Sequence, residues 1–383
     1  MPPPETLRFY PAARVVAPRI HEYFAVHLEA ARQRGAAPEA CLADIDAIEA
    51  IIDAAFWASL RREENYIPKI SLAFLPPGHS AQTLKFEHSL SLSVTALTRV
   101  SPAVERAGVH LGVWRMGDEL RVWGATCSIP ALCFVLEVVA PGLLVAKHHR
   151  GDETGKFVNV AVLEGDQVKV VDEGARSLPD CPALLASLLG FDSPSSWVES
   201  LNVLVQLAVS MRAHGRGGLL LVVPSGSDGW RDSIVRPMGY GLDPPFVRLS
   251  DLMRDYTGER EEGHWRDALD RAVDAVAGLT AVDGAAIMTD RYELLAFGAK
   301  IMRRKGGQQV ERVAVTEPIE GSVAAVVPPT ELGGTRHLSA AQFIQDQRDG
   351  LALVASQDGR FTVFAWSPCD AMVHAHRVDT LLL

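Results

Sequence analysis

A stretch rich in Pro, Ser and Leu at 180–197 divides the chain into two runs of different texture, and this break constrains the fold most. Before it, short strand-like segments follow one another through tight turns. After it, helical and strand-like runs alternate. One layered core does not accommodate both textures, so two domains are expected, over residues 1–195 and 196–383. A chain of 383 residues gives each of them ordinary size.

In the first run, apolar positions at helical spacing predict helices over about 19–34 and 42–62. Ile45, Ile48, Ile51, Ile52 and Phe56 share one face of the second, and the charges at 61–64 read as its solvated end. Strand texture begins near Tyr66, with segments at 67–75, 84–86 and 90–94. Segments 109–114 and 120–124 flank the turn Met116-Gly117-Asp118-Glu119, a hairpin signal. Further strands are expected at 133–139, 143–146, 157–163 and 167–171, with a second hairpin turn at Glu164-Gly165-Asp166. This predicts an α+β, mainly antiparallel domain behind a helical entry. His148-His149-Arg150 sits in it, but neighbouring residues on a strand point to opposite faces, so the two imidazoles do not readily share a ligand.

In the second run the expected order is a helix at 197–214, a strand at 219–223 and a helix at 264–277. Strands at 285–289, 294–297 and 323–327 follow, then a helix ending near Gln347 and a hairpin of 351–355 with 361–366. Such alternation is that of an α/β domain with a mixed sheet flanked by helices. His374 and His376 are spaced to share a face, in a tail that reads as simply polar.

Two short stretches of this second run carry chemistry. Asp283-Gly284-Ala285 places a carboxylate and an open turn at the edge of an apolar strand. Gly333-Gly334-Thr335-Arg336-His337 is a Gly-rich loop that opens a helix. Backbone N–H groups at such a helix start, with an Arg beside them, make a phosphate cradle. A carboxylate facing that cradle is suited to hold a divalent metal or take a proton from an attacking hydroxyl. On the residues alone, Asp283 can equally be a turn former, and Thr335 and Arg336 an N-cap and a solvated first-turn residue. His337 has two open roles, contacting a phosphate or holding the loop.

The wider composition narrows the partners. A net charge of −10 argues against a broad nucleic-acid surface, so phosphate affinity has to come from a local pocket. The 5 cysteines are scattered without CxxC spacing and read as buried hydrophobes in a reducing compartment. The opening Met-Pro-Pro-Pro-Glu-Thr has neither the basic nor the apolar part of a signal peptide, and the longest apolar stretches are too short or interrupted to span a bilayer. A cytoplasmic protein with no membrane association is expected.

The DGA turn after a strand, the GTRH loop and the strand ending in Ser356 resemble the diadenylate cyclase (DAC) family. The run Gly215–Ser225 and the segment Gly239-Tyr240-Gly241-Leu242 are similar to that family's opening strand and its Gly-containing sequel. The resemblance implies an enzyme that joins two ATP molecules into cyclic di-AMP, a bacterial second messenger, and releases two pyrophosphates. It implies Asp283, Arg336 and His337 as catalytic residues, and Gly284, Ala285, Gly334, Thr335, Ser339 and Ser356 as nucleotide-binding residues. It also implies Mg²⁺ or Mn²⁺ held by Asp283, a homo-oligomer with cyclase domains paired face to face, and a sensory domain in the first half. The family's loop usually reads GTRHR, whereas Leu338 stands in place of the second Arg. Arg303, Arg304, Lys305 and Arg360 are candidates to replace that cation. A catalytically impaired nucleotide or cyclic-dinucleotide sensor is the alternative reading.

Overall fold

The structure is a computed structural model, and it describes residues 9–35, 39–62, 68–79, 83–106, 108–149, 157–172, 203–255 and 262–383. The chain forms two compact units, Met1–Val171 and Asp172–Leu382. The expected boundary at 195/196 and the start of the expected 197–214 helix fall outside the described residues, as do Arg150 and the 63–67 stretch.

The first unit is one mixed eight-stranded sheet with helices packed on one face. Helix α1 (Pro11–Gln33) begins well before the expected 19–34 and runs through Pro18. The proline lies on the exposed side, while Ala13, Val16, Ala17, Ile20, Phe24 and Leu28 keep one buried stripe unbroken. Packing of that stripe outweighs the lost backbone bond. Helix α2 (Ile45–Ser59) is capped by Asp44, whose Oδ1 accepts a hydrogen bond from the Ala47 N–H at 2.7 Å. The two expected segments at 84–86 and 90–94 are one strand, β2 (Thr83–Ser91), and Val94 starts a helix instead, α3 (Val94–Val100), capped by Ser93.

The remaining strands are β1 (Ser71–Phe74), β3 (His110–Met116), β4 (Glu119–Thr126), β5 (Phe134–Ala140), β6 (Leu143–His149), β7 (Phe157–Glu164) and β8 (Gln167–Val170), in the order β2-β4-β3-β1-β5-β6-β7-β8. Both expected hairpin turns form, and only β1 with β3 is parallel. His148 is buried with its Nε2 3.1 Å from Tyr23 Oη, whereas the His149 ring meets Phe157, so the two imidazoles do face apart.

The second unit is a nine-stranded mixed sheet between helical layers. Its strands are β9 (Gly218–Val223), β10 (Tyr240–Phe246), β11 (Ala285–Thr289), β12 (Leu294–Ala299), β13 (Val313–Thr316), β14 (Ala325–Val327), β15 (Leu351–Ala355), β16 (Phe361–Ser367) and β17 (Met372–Arg377), ordered β10-β12-β11-β9-β15-β16-β17-β13-β14. Helices α4 (Val203–Ala213), α5 (Arg248–Arg254) and α6 (Glu262–Thr280) share one core with Leu220, Val222, Ala286 and Met288. Helix α7 (Thr335–Asp346) buries Ala340, Ala341, Phe343 and Ile344 against the other face. Both units are thus mixed α/β with more strands than helices.

The tail that reads as polar is corrected by the fold: 372–377 is an interior strand, parallel to β13 and antiparallel to β16. His374 and His376 do share a face, with ring centroids 5.7 Å apart, and His376 is 5% exposed with its Nδ1 2.7 Å from Thr316 Oγ1.

Candidate functional site

Strand register brings the two chemical stretches to one end of the second sheet. Ala355 pairs with Gly218, and β9 runs parallel to β11 with Leu220 opposite Ala286. Ala285 in turn pairs with Ala299 on β12. Ser356, Gly217, Asp283 and Lys300 therefore follow one another across four adjacent strand ends.

At the first of these ends lies a cavity of about 380 Å³. Gly333, Gly334, Thr335, Arg336 and His337 line it from one side, and Ser356, Asp358 and Arg360 from the other. Helix α7 starts here from an N-cap glycine, Gly334, with no side chain closing its first turn. The His337 N–H donates to the Gly334 carbonyl at 3.1 Å, which leaves the N–H groups of Thr335 and Arg336 and the positive end of the helix to the cavity. Arg336 and Arg360 add two guanidinium groups, and Thr335 and Ser356 add hydroxyls. This wall suits a phosphate or polyphosphate. Of the four basic residues weighed against Leu338, Arg360 is on the cavity wall; Arg303, Arg304 and Lys305 are not among its lining residues. Ser339 is one position further along α7 than Leu338 and also lies outside the lining.

His337 holds the loop from beneath. Its side chain is buried at 5% exposure, and its ring meets Phe364 edge-on at 6.0 Å. A Cβ on Gly333 would stand 2.6 Å from His337 Nδ1, so only glycine lets the loop lie on the imidazole. Burial, reinforced by Arg377, holds the imidazole below its ordinary value, so it is neutral at pH 7. It brings no positive charge to an anion.

The DGA turn sits beside the cavity and is not part of its wall. The Asp283 side chain is 94% exposed, and its Oδ2 is 2.5 Å from Lys300 Nζ. The hydrogen bond from Lys300 and its charge lower the carboxyl below its usual range, and the charge of Arg336 adds to this. Arg336 thus acts on both stretches: its side chain lines the cavity and its charge reaches Asp283. Gly284 and Ala285 are accounted for by packing. A Cβ on Gly284 would stand 2.5 Å from the Gly298 carbonyl carbon, and Ala285 is fully buried. The small residues of the turn let β12 approach, and Ala285 offers no surface to a ligand.

Among the described residues there is no group of three or more His, Cys, Asp or Glu that could hold a metal. The donor set at Asp283 is one carboxylate, with Lys300 on one oxygen and solvent around the rest. That suits Mg²⁺, which is commonly held by one or two carboxylates together with substrate phosphates, and does not make a resident metal centre.

Sequence reasoning singled out neither Lys300 nor Gly217. Lys300 follows strand β12 and is 53% exposed, with no pattern to separate it from other surface lysines. Gly217 was visible within the run Gly215–Gly218, but its meaning depends on where Arg336 lies.

Residues 37–127, within the first unit, match a family model described as Probable sensor domain DACNV. No curated protein matches the chain. Among solved structures, the chain is similar at 15% identity to one described as the crystal structure of the hypothetical membrane spanning protein from Bacillus cereus. That similarity covers 51% of this chain and 71% of the other, with a TM-score of 0.26, too low to carry an argument. No described helix of the present chain is long and apolar enough to cross a membrane. The family match covers less than half of the chain, and what it supports is a sensor domain in the first unit.

Proposed function

We propose that the second unit is a diadenylate cyclase, condensing two cytoplasmic ATP molecules into cyclic di-AMP under the control of a sensory first unit. The observation that carries this reading is the cavity that gathers the GTRH loop, Ser356 and Arg360, with Asp283 at the same sheet end and within reach of the Arg336 charge. The triphosphate occupies the cavity, where first-turn N–H groups, Arg336, Arg360, Thr335 and Ser356 meet its oxygens. In each of two steps a ribose 3′-hydroxyl attacks an α-phosphate in line, and pyrophosphate leaves. Donors already oriented in the cavity stabilise the charge that develops on the phosphoryl oxygens and the leaving group.

Asp283 stands beyond the cavity wall, where a ribose hydroxyl would fall. Its ionised carboxylate accepts that hydroxyl's hydrogen bond and orients it, while its lowered pKa makes it a weak general base. Mg²⁺ or Mn²⁺, when bound by Asp283 and the phosphates, would supply further charge neutralisation and acidify the hydroxyl. Each unit holds one nucleotide, so turnover requires two copies of the chain with their cavities facing. His337 serves this chemistry by fixing the loop.

A second reading, a nucleotide-binding sensor without turnover, is favoured by the exposed Leu338 in place of Arg and by the pairing of Asp283 with Lys300. Arg360 on the cavity wall weighs against it, because it supplies a second guanidinium, although one already 3.5 Å from the Asp358 carboxylate. Incubating the full chain with ATP and Mg²⁺ or Mn²⁺ and analysing the products separates the two. Cyclic di-AMP that disappears in Asp283→Asn is the expected result; ATP binding without any cyclic product would leave only the sensor.

A further inference from the structure

We infer that Gly217 is a positioning residue: its missing side chain is the gap through which Arg336 lies across the sheet end, between the anion cavity and Asp283. The inference rests on the polyphosphate-site reading above and adds to it the residue on which the reach of Arg336 depends.

Gly217 immediately precedes β9 and has φ +71. A Cβ built on it would stand 2.8 Å from Arg336 Nη1 and 3.3 Å from the Ala355 carbonyl oxygen. The guanidinium therefore occupies the space that any side chain at 217 would fill. From this berth its charge reaches Asp283. It also adds to the lowering of the His214 imidazole, which is driven first by burial and then by Arg216. The nearest obstacle to a Cβ is the far end of a long side chain, which can swing away at low cost to the fold. A side chain at 217 would thus displace the arginine and ask the Ala355 carbonyl oxygen to give by only a few tenths of an ångström, so the larger effect belongs to binding.

The backbone strain of a non-glycine residue at positive φ has its own control. Gly215, two residues earlier, has φ +63 and nothing within 4 Å of its would-be Cβ. Gly215→Ala therefore reports strain alone, Gly217→Ala reports strain, a tight contact with the Ala355 carbonyl and displacement of Arg336, and the Arg336→Ala background isolates the last.

The test uses the full chain, with inorganic tripolyphosphate and ATP as probes in titration calorimetry. Because a charge-assisted contact is moved, Gly217→Ala is expected to weaken both by about tenfold. Gly215→Ala is expected to leave both unchanged, and Gly217→Ala to add no loss in an Arg336→Ala background. A second readout needs no ligand: the rate at which phenylglyoxal modifies Arg336, followed by peptide mass spectrometry, is expected to rise several-fold in Gly217→Ala only. Equal losses in the two glycine variants, a Gly217→Ala loss that persists without Arg336, or an unchanged modification rate would each overturn the inference. If wild-type protein binds neither probe, the polyphosphate reading fails, and the modification rates alone still decide whether Gly217 positions Arg336.

Discussion

At the scale of the residue, placement separates chemistry from packing more sharply than residue type does. Arg336 and His337 are neighbours in the first turn of α7 and both border the cavity, yet the first brings a charge to it and the second is buried and neutral. Arg336→Ala is therefore expected to weaken tripolyphosphate binding roughly ten- to a hundredfold by calorimetry, as the loss of a charge-assisted contact worth about 1.5–3 kcal/mol. A second expectation follows from His376. Burial, helped by His374, pushes its imidazole from 6.5 down to about 3. The unfolded chain binds the extra proton between those values, so stability present at pH 7 is lost as pH falls through about 6.5. At pH 5 the loss is about 2 kcal/mol. Chemical denaturation at the two pH values checks it, and His376→Gln is expected to flatten the dependence.

At the scale of the element, glycines with similar freedom in sequence part company in the structure. Gly278 is an exposed position inside α6 with nothing near its would-be Cβ, so Gly278→Ala is expected to stabilise the chain by about 0.5–1 kcal/mol. Gly284 has φ +121 and faces the β12 backbone, so Gly284→Ala is expected to destabilise it by roughly 1–3 kcal/mol. Thermal melting of the two variants reads both signs. Helices and hairpins were legible wherever a single period governed them: the α2 stripe and the turns at 116–119, 164–166 and 357–360 all form. Strand β17 was not legible, because two of its inward positions are His374 and His376, and only pairing with β13 and β16 makes them interior. The start of α1 was not legible either, because its first turns contain Pro18, a residue tolerated on the solvent side of a helix held by its buried stripe.

At the scale of the molecule, each unit has its own sheet and its own core, so each is expected to fold without the other. A chain of residues 172–383 should retain a cooperative melt by circular dichroism and bind tripolyphosphate as the full chain does; a non-cooperative melt would refute that independence. The two textures, the loop suited to an anion and the carboxylate fifty-odd positions before it can be read from residue order, because periodicity, glycine content and residue chemistry are local properties. Folding is what joins Ser356 and Arg360 to Arg336 around one cavity, sets Asp283 beside that cavity against Lys300, and leaves room for the arginine at Gly217. Those relations depend on which strands pair and in what register, and pairing is set by contacts between residues far apart in the chain.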